Sequence, residues 1–106
     1  MALKIGQDSN KAKGLCHLVI DEDMTIYVID QLKQEISKIL GGYKRFELDL
    51  SGIEEIDSAG IQLLLALKGE LMQQQKSFKL SIASTPVESL LDTYGLADWF
   101  EKRGES

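Results

Sequence analysis

Between Leu15 and Ile82 the apolar residues change their period four times, and this alternation limits the fold more than any other feature. Leu15 to Ile20 is a six-residue run of Leu, Cys, His, Val and Ile. Its length and branching predict a largely buried strand. Ile26, Ile29, Leu32, Ile36 and Ile39 then recur at spacings of three and four, which puts them on one face of a helix. Phe46, Leu48 and Leu50 alternate with Glu47, Asp49 and Ser51, the period of a strand with one dry face. Ile61 to Gln75 returns to a helical pattern, rich in leucine at its start. Phe78, Leu80 and Ile82 alternate again. Strand-helix-strand units of this length imply parallel neighbours joined by right-handed crossovers.

The punctuation agrees with that reading. Leu3 to Gln7 is expected as a short edge strand, and Asp8 to Lys13 as a polar turn. Thr25 is placed to cap the first helix, and Gly41-Gly42 to end it in a left-handed cap. Gly52 to Ile56 is a connector. Thr85 is expected as an N-cap with Pro86 at the first helical position. A short helix follows over Val87 to Leu91, and Gly95 stops it. Ala97 to Lys102 is read as a last turn in which Trp99 and Phe100 close the core, or else support a dimer. The order β-β-α-β-α-β-α gives an α/β fold with a mixed, mostly parallel sheet. Residues 1–106 are taken as one domain, a length that buries a core without staples.

Charge and composition narrow the function. Lys and Arg number 12 against 17 Asp and Glu, a net charge of −5. Such a surface repels phosphate backbones, so nucleic-acid binding is not expected. No stretch approaches the roughly 20 apolar residues of a membrane span, and Met1 to Gly6 is too short and polar for a signal peptide. Membrane insertion is therefore not expected, and a cytoplasmic protein is. With one cysteine, Cys16, and one histidine, His17, a Cys/His zinc site cannot be assembled, and because that histidine sits inside an apolar run neither a Ser-His-Asp nor a Cys-His arrangement is expected. Cys16 reads as core. Asp21, Glu22 and Asp23 read as a solvated turn and not as a cation site. There is no Gly-rich phosphate loop, no Lys-Ser/Thr pair after one and no free histidine for acid-base work, which argues against a small α/β enzyme or nucleotide binder; no catalytic residue, metal or cofactor is expected.

In open α/β sheets, sites gather where strands end and helices begin. Three such corners exist: Asp21 to Thr25, Asp57 to Gly60, and Ala83 to Pro86. At the second, Ser58 can cap the helix, a role worth about 1 kcal/mol. It can also accept phosphate, facing the helix dipole and unpaired N–H groups, with small neighbours at Ala59 and Gly60 admitting a kinase. Both readings stand on the residues alone. In the following helix Leu63 and Leu67 form a second apolar row. That row fits either a wedged helix or a partner patch.

Asp49-Leu50-Ser51-Gly52-Ile53, then Ile56-Asp57-Ser58-Ala59-Gly60-Ile61 before a leucine-rich helix, resembles the STAS domain family. Asp23 to Tyr27, Phe78 to Ala83 and Leu90 to Leu96 extend the resemblance over nearly the whole chain. Thr25 stands where many relatives carry Asp, and Glu22 where many carry Gly. The resemblance implies a four- to five-stranded sheet with helices mainly on one face. A stand-alone domain of this kind resembles the bacterial anti-sigma factor antagonists, which are non-enzymatic. The family pattern implies that such a protein binds an anti-sigma factor that is also a serine kinase. Phosphorylation at Ser58 would release it, and a cognate phosphatase would restore binding. By position the partner surface would comprise Thr25, Asp57, Ser58, Ala59, Gly60, Gln62 and Leu63. Monomer or weak homodimer is the expected state. The alternative class within the family is a subunit docking on the ATPase of a lipid ABC transport complex.

Overall fold

A computed structural model describes residues 3–6, 9–96 and 98. Four strands, β1 (Leu3–Ile5), β2 (Leu15–Ile20), β3 (Arg45–Leu50) and β4 (Ser77–Ala83), form one sheet in the order β1-β2-β3-β4. β1 pairs antiparallel with β2, while β2, β3 and β4 run parallel. Three helices follow the parallel strands: α1 (Ile29–Ser37), α2 (Ser58–Gln73) and α3 (Thr85–Thr93). Because β2, β3 and β4 step across the sheet in one direction, crossovers of one hand place α1 and α2 on the same face. The mixed, mostly parallel α/β sheet read from the sequence is the observed one.

The burial pattern records this one-sidedness. Cys16, Leu18 and Ile20 of β2, Phe46, Leu48 and Leu50 of β3, and Phe78 and Leu80 of β4 point under the helices and are buried. Their neighbours Leu15, His17, Val19, Glu47, Asp49 and Lys79 are half-buried on the open face. From the helices, Ile29, Leu32 and Ile36 of α1, Ile61, Leu64 and Leu71 of α2, and Val87 and Leu91 of α3 complete the core. Burial pushes the Cys16 thiol up to about 11, against a smaller opposing contribution from Ser9, which leaves almost no thiolate at neutral pH.

Several local expectations are corrected. Ile82 does not continue the buried row of Phe78 and Leu80. Leu48 pairs with Leu80 but Asp49 pairs with Ile82, so Ser81 is an extra residue in β4. Its hydroxyl donates to the Leu48 carbonyl (3.0 Å), and the bulge turns Ile82 to the open face, where it is exposed. Gly41 and Gly42 are not a left-handed cap: they lie in a 3-10 turn, Leu40–Gly42, and positive φ belongs instead to Gly14 and Gly95 among the described glycines. Ser84, not Thr85, occupies the N-cap of α3, and its side chain makes no capping bond. That helix runs on to Thr93. Gly95 (φ 70°) does end it, with Leu96 N–H donating to the Leu91 carbonyl (2.8 Å). Lys102 and the aromatic pair Trp99 and Phe100 lie outside the described residues.

One buried residue breaks the apolar pattern. Glu35 of α1 is 9% exposed, and both its carboxylate oxygens are buried with no hydrogen-bond partner among the described residues. A carboxylate withdrawn from water without a partner is a net cost. Glu35→Leu is therefore expected to raise stability by about 1–2 kcal/mol. Urea denaturation checks it, and a loss of stability would show that the carboxylate has a partner.

Candidate functional site

The site sits at the carboxyl ends of β2 and β3, where two loops are stitched together. Met24 forms an isolated parallel bridge with Ile56, extending the β2–β3 pairing past the strands. Met24 N–H donates to the Glu55 carbonyl (2.9 Å), and Asp57 N–H to the Met24 carbonyl (3.2 Å). The Asp23 carboxylate accepts from Glu55 N–H (3.0 Å). The two connections thus form one surface at the head of α2.

Asp57 is the centre of that surface. Its Oδ1 accepts from Ala59 N–H (2.9 Å) and Gly60 N–H (3.3 Å), the bonds of an N-cap. Its Oδ2 accepts from Ile26 N–H (3.0 Å) in the other loop. One carboxylate therefore caps α2 and ties down the β2–α1 connection. The capping role expected of Ser58 belongs to its neighbour. Ser58 is the first helical residue and is exposed, and its hydroxyl makes no hydrogen bond among the described residues. A correction follows for phosphate at this corner. Two of the N–H groups at the helix start are already taken by Asp57, so a phosphate on Ser58 would find them occupied and a carboxylate beside it.

Gly60 explains its own place in the motif. A Cβ there would lie 2.5 Å from the Met24 carbonyl oxygen, 2.7 Å from Ile56 Cγ1 and 3.0 Å from Met24 Cβ. The first turn of α2 presses directly on the stitched loops, and only a missing side chain lets it do so. Ala59 is half-buried.

The other predicted site residues divide by exposure. Gln62, one turn on from Ser58, is exposed. Leu63 is 5% exposed and Leu67 likewise, so the second apolar row of α2 is buried and serves packing, with α1 against α2. Thr25 is half-buried and caps nothing with its side chain. Its carbonyl accepts from Val28 N–H (3.0 Å) and Ile29 N–H (3.2 Å), and α1 starts only at Ile29. The turn before α1 leaves Ile26 68% and Tyr27 92% exposed. Ile26, read as part of the core face, is instead an apolar surface residue tied to Asp57. Sequence reasoning missed this pair; the signal available was the polar Asp21-Glu22-Asp23 stretch, which puts the next residues in a turn. No group of three or more metal-ligating side chains occurs among the described residues.

The family model described as Mlab, STAS domain matches residues 9–102. The chain belongs to the STAS family. Among solved structures, this STAS domain is similar to the anti-sigma factor antagonist SpoIIAA in its unphosphorylated form, at 17% identity, with a TM-score of 0.75 over 98% of this chain and 90% of that one. An anti-sigma factor antagonist from Mycobacterium paratuberculosis shares 16% identity and a TM-score of 0.78, over 97% of this chain and 86% of that one. A sulfate transporter family protein from Wolinella succinogenes shares 20% identity and a TM-score of 0.64, over 81% and 70%. Identities this low establish the fold. No match is found among curated proteins. No helix among the described residues is long and apolar enough to cross a membrane.

Proposed function

We propose that the protein is a non-enzymatic regulatory binding module, an anti-sigma factor antagonist switched at Ser58. The observation that carries this reading is the hydroxyl itself. Ser58 is exposed at the head of α2, and the cap that a serine would ordinarily supply is supplied by Asp57. The side chain is thereby spared a structural duty. In its unmodified form the corner of Thr25, Ala59, Ser58 and Gln62 would face an anti-sigma factor that is also a serine kinase. Asp57 and Gly60 would act by holding the corner's shape, and Leu63 by supporting it from the core.

The switch needs no rearrangement. A phosphoserine adds about −1.5 to −2 charge. At an interface beside Asp57 that charge would be desolvated without a partner, at several kcal/mol. A cognate phosphatase would reverse it. Titration of the purified cognate kinase with unmodified and Ser58-phosphorylated protein tests this. Affinity is expected to fall about a thousandfold, equivalent to about 4 kcal/mol. Equal affinities would overturn it.

Membership of the STAS family leaves a second reading of the same surface. A subunit docking on the ATPase of a lipid-transport complex would use the corner without modification. Copurification with an ATPase, with Ser58 unmodified in the cell, would select that reading.

A further inference from the structure

The end of the sheet opposite Ser58 carries a cavity that neither reading uses. It measures about 410 Å³ and is lined by residues 12–14, 41–44 and 76. That volume is in the range of small-ligand pockets. Three lysines, Lys13, Lys44 and Lys76, line it, and among the described residues no carboxylate does. In a chain with 17 acidic and 12 basic residues, this segregation is a product of the topology.

The register explains how the lysines meet. Leu15, Arg45 and Ser77 are aligned across the three parallel strands, so the residues preceding them, Gly14, Lys44 and Lys76, lie side by side. The Gly14 carbonyl accepts from both Lys44 N–H and Arg45 N–H (2.8 Å each), and the Lys44 carbonyl accepts from Ser77 N–H (3.1 Å). Gly14 takes φ 72°, and a Cβ there would approach Lys44 Cβ to 3.3 Å. The backbone under the lysines is therefore fixed. Tyr43 is buried with its ring edge-on to Phe46 and forms part of the pocket wall.

Lys76 is partly engaged, donating to the Leu40 carbonyl and lying 5.9 Å from the Phe46 ring centroid. Lys13 and Lys44 are exposed and have no ion-pair partner among the described residues. Two lysines without an ion-pair partner among the described residues, and a third that is partly engaged, thus line one concavity.

We propose that this cavity is a binding site for a compact, multiply charged phosphate group, held chiefly by Lys13 and Lys44 with Lys76 at the wall. Ammonium groups bind phosphate as point charges, and several around one hollow favour an anion of more than one charge. The group could be delivered by a soluble phosphate compound or by a lipid headgroup, and both present the same oxygens.

The test is an amide NMR titration of the full chain with inorganic pyrophosphate, at ionic strength held constant with sodium chloride. Saturable shifts are expected at Gly14, Gly41, Gly42 and Lys44, and not at Ser58. The double variant Lys13→Gln/Lys44→Gln should bind about tenfold more weakly with an unchanged Tm, since neither side chain makes a structural bond in the described fold. Non-saturable shifts, shifts spread over Lys33, Lys38 and Lys79, or unchanged affinity in the variant would overturn the proposal. Vesicles of phosphatidylglycerol and of phosphatidylcholine identify the source. Binding to the anionic vesicles alone, displaced by pyrophosphate, assigns a headgroup. Saturable pyrophosphate binding without vesicle binding assigns a soluble phosphate. Vesicle binding without a pyrophosphate response would mark simple surface adsorption and defeat the site.

Discussion

Gly60→Ala is expected to destabilise the protein by at least about 2 kcal/mol, whereas Gly69→Ala, on the same helix, is expected to stabilise it. At Gly69 a Cβ meets nothing within 4 Å, so the ordinary helix preference for alanine, up to about 1 kcal/mol, is realised. At Gly60 the same gain is outweighed. The new Cβ would sit 2.5 Å from the Met24 carbonyl oxygen, a backbone atom already accepting from Asp57 N–H. Backbone cannot swing aside as a flexible side chain can, so α2 must lift or the bridge between Met24 and Ile56 must break. Overpacking of this kind costs about 1–3 kcal/mol and occasionally more. Urea denaturation of both variants checks the pair. Opposite signs are the prediction, and a stabilised Gly60→Ala would show that the loops yield freely.

Asp57→Ala is expected to cost about 2–3 kcal/mol, which is large for an isolated surface carboxylate but not for one that accepts three backbone N–H groups. Loss of the cap alone is worth about 1 kcal/mol, and a bond to a charged acceptor about 1.5–3 kcal/mol. Asp57 is half-buried, so water recovers part of the sum. Asp57→Asn should cost about half as much. One of its two terminal atoms becomes an NH₂, which cannot accept, so the amide keeps either the cap or the bond to Ile26. Hydrogen exchange should accelerate at Ile26, Ala59 and Gly60 in Asp57→Ala. Ser58→Ala, by contrast, should change stability by less than about 0.5 kcal/mol, because its hydroxyl caps nothing. A cost near 1 kcal/mol there would return the capping role to Ser58.

The architecture was legible because it rests on period. Leu15–Ile20 is a strand with the bounds read from the sequence, and the strands around Phe46 and Phe78 were found within one or two residues. Composition alone could not find the bulge at Ser81, since an extra residue is a property of a strand pair and not of a strand. Ile26 fits the helical spacing as well as Ile29 does, but Thr25 spends its carbonyl on a turn and delays the helix by a few residues. Asp57 and Ser58 are both good capping types. Which one caps depends on where the stitched loops deliver the chain, and that is set by the contact between Met24 and Ile56. The motif was visible as a motif. The division of labour within it, with Asp57 as clasp, Gly60 as close contact and Ser58 as spare hydroxyl, required the geometry.

The measurement that bears most directly on the account is the intact mass of the protein after incubation with ATP and lysate of its own host, for wild type and Ser58→Ala. One added phosphate, about 80 Da, on wild type and none on the variant is the predicted result. The loss of the phosphate in Ser58→Ala would be informative because that substitution is expected to leave the corner folded. No phosphate on either protein, with a control kinase substrate modified in the same lysate, would contradict a switch at Ser58 and leave the corner as a surface for constitutive docking.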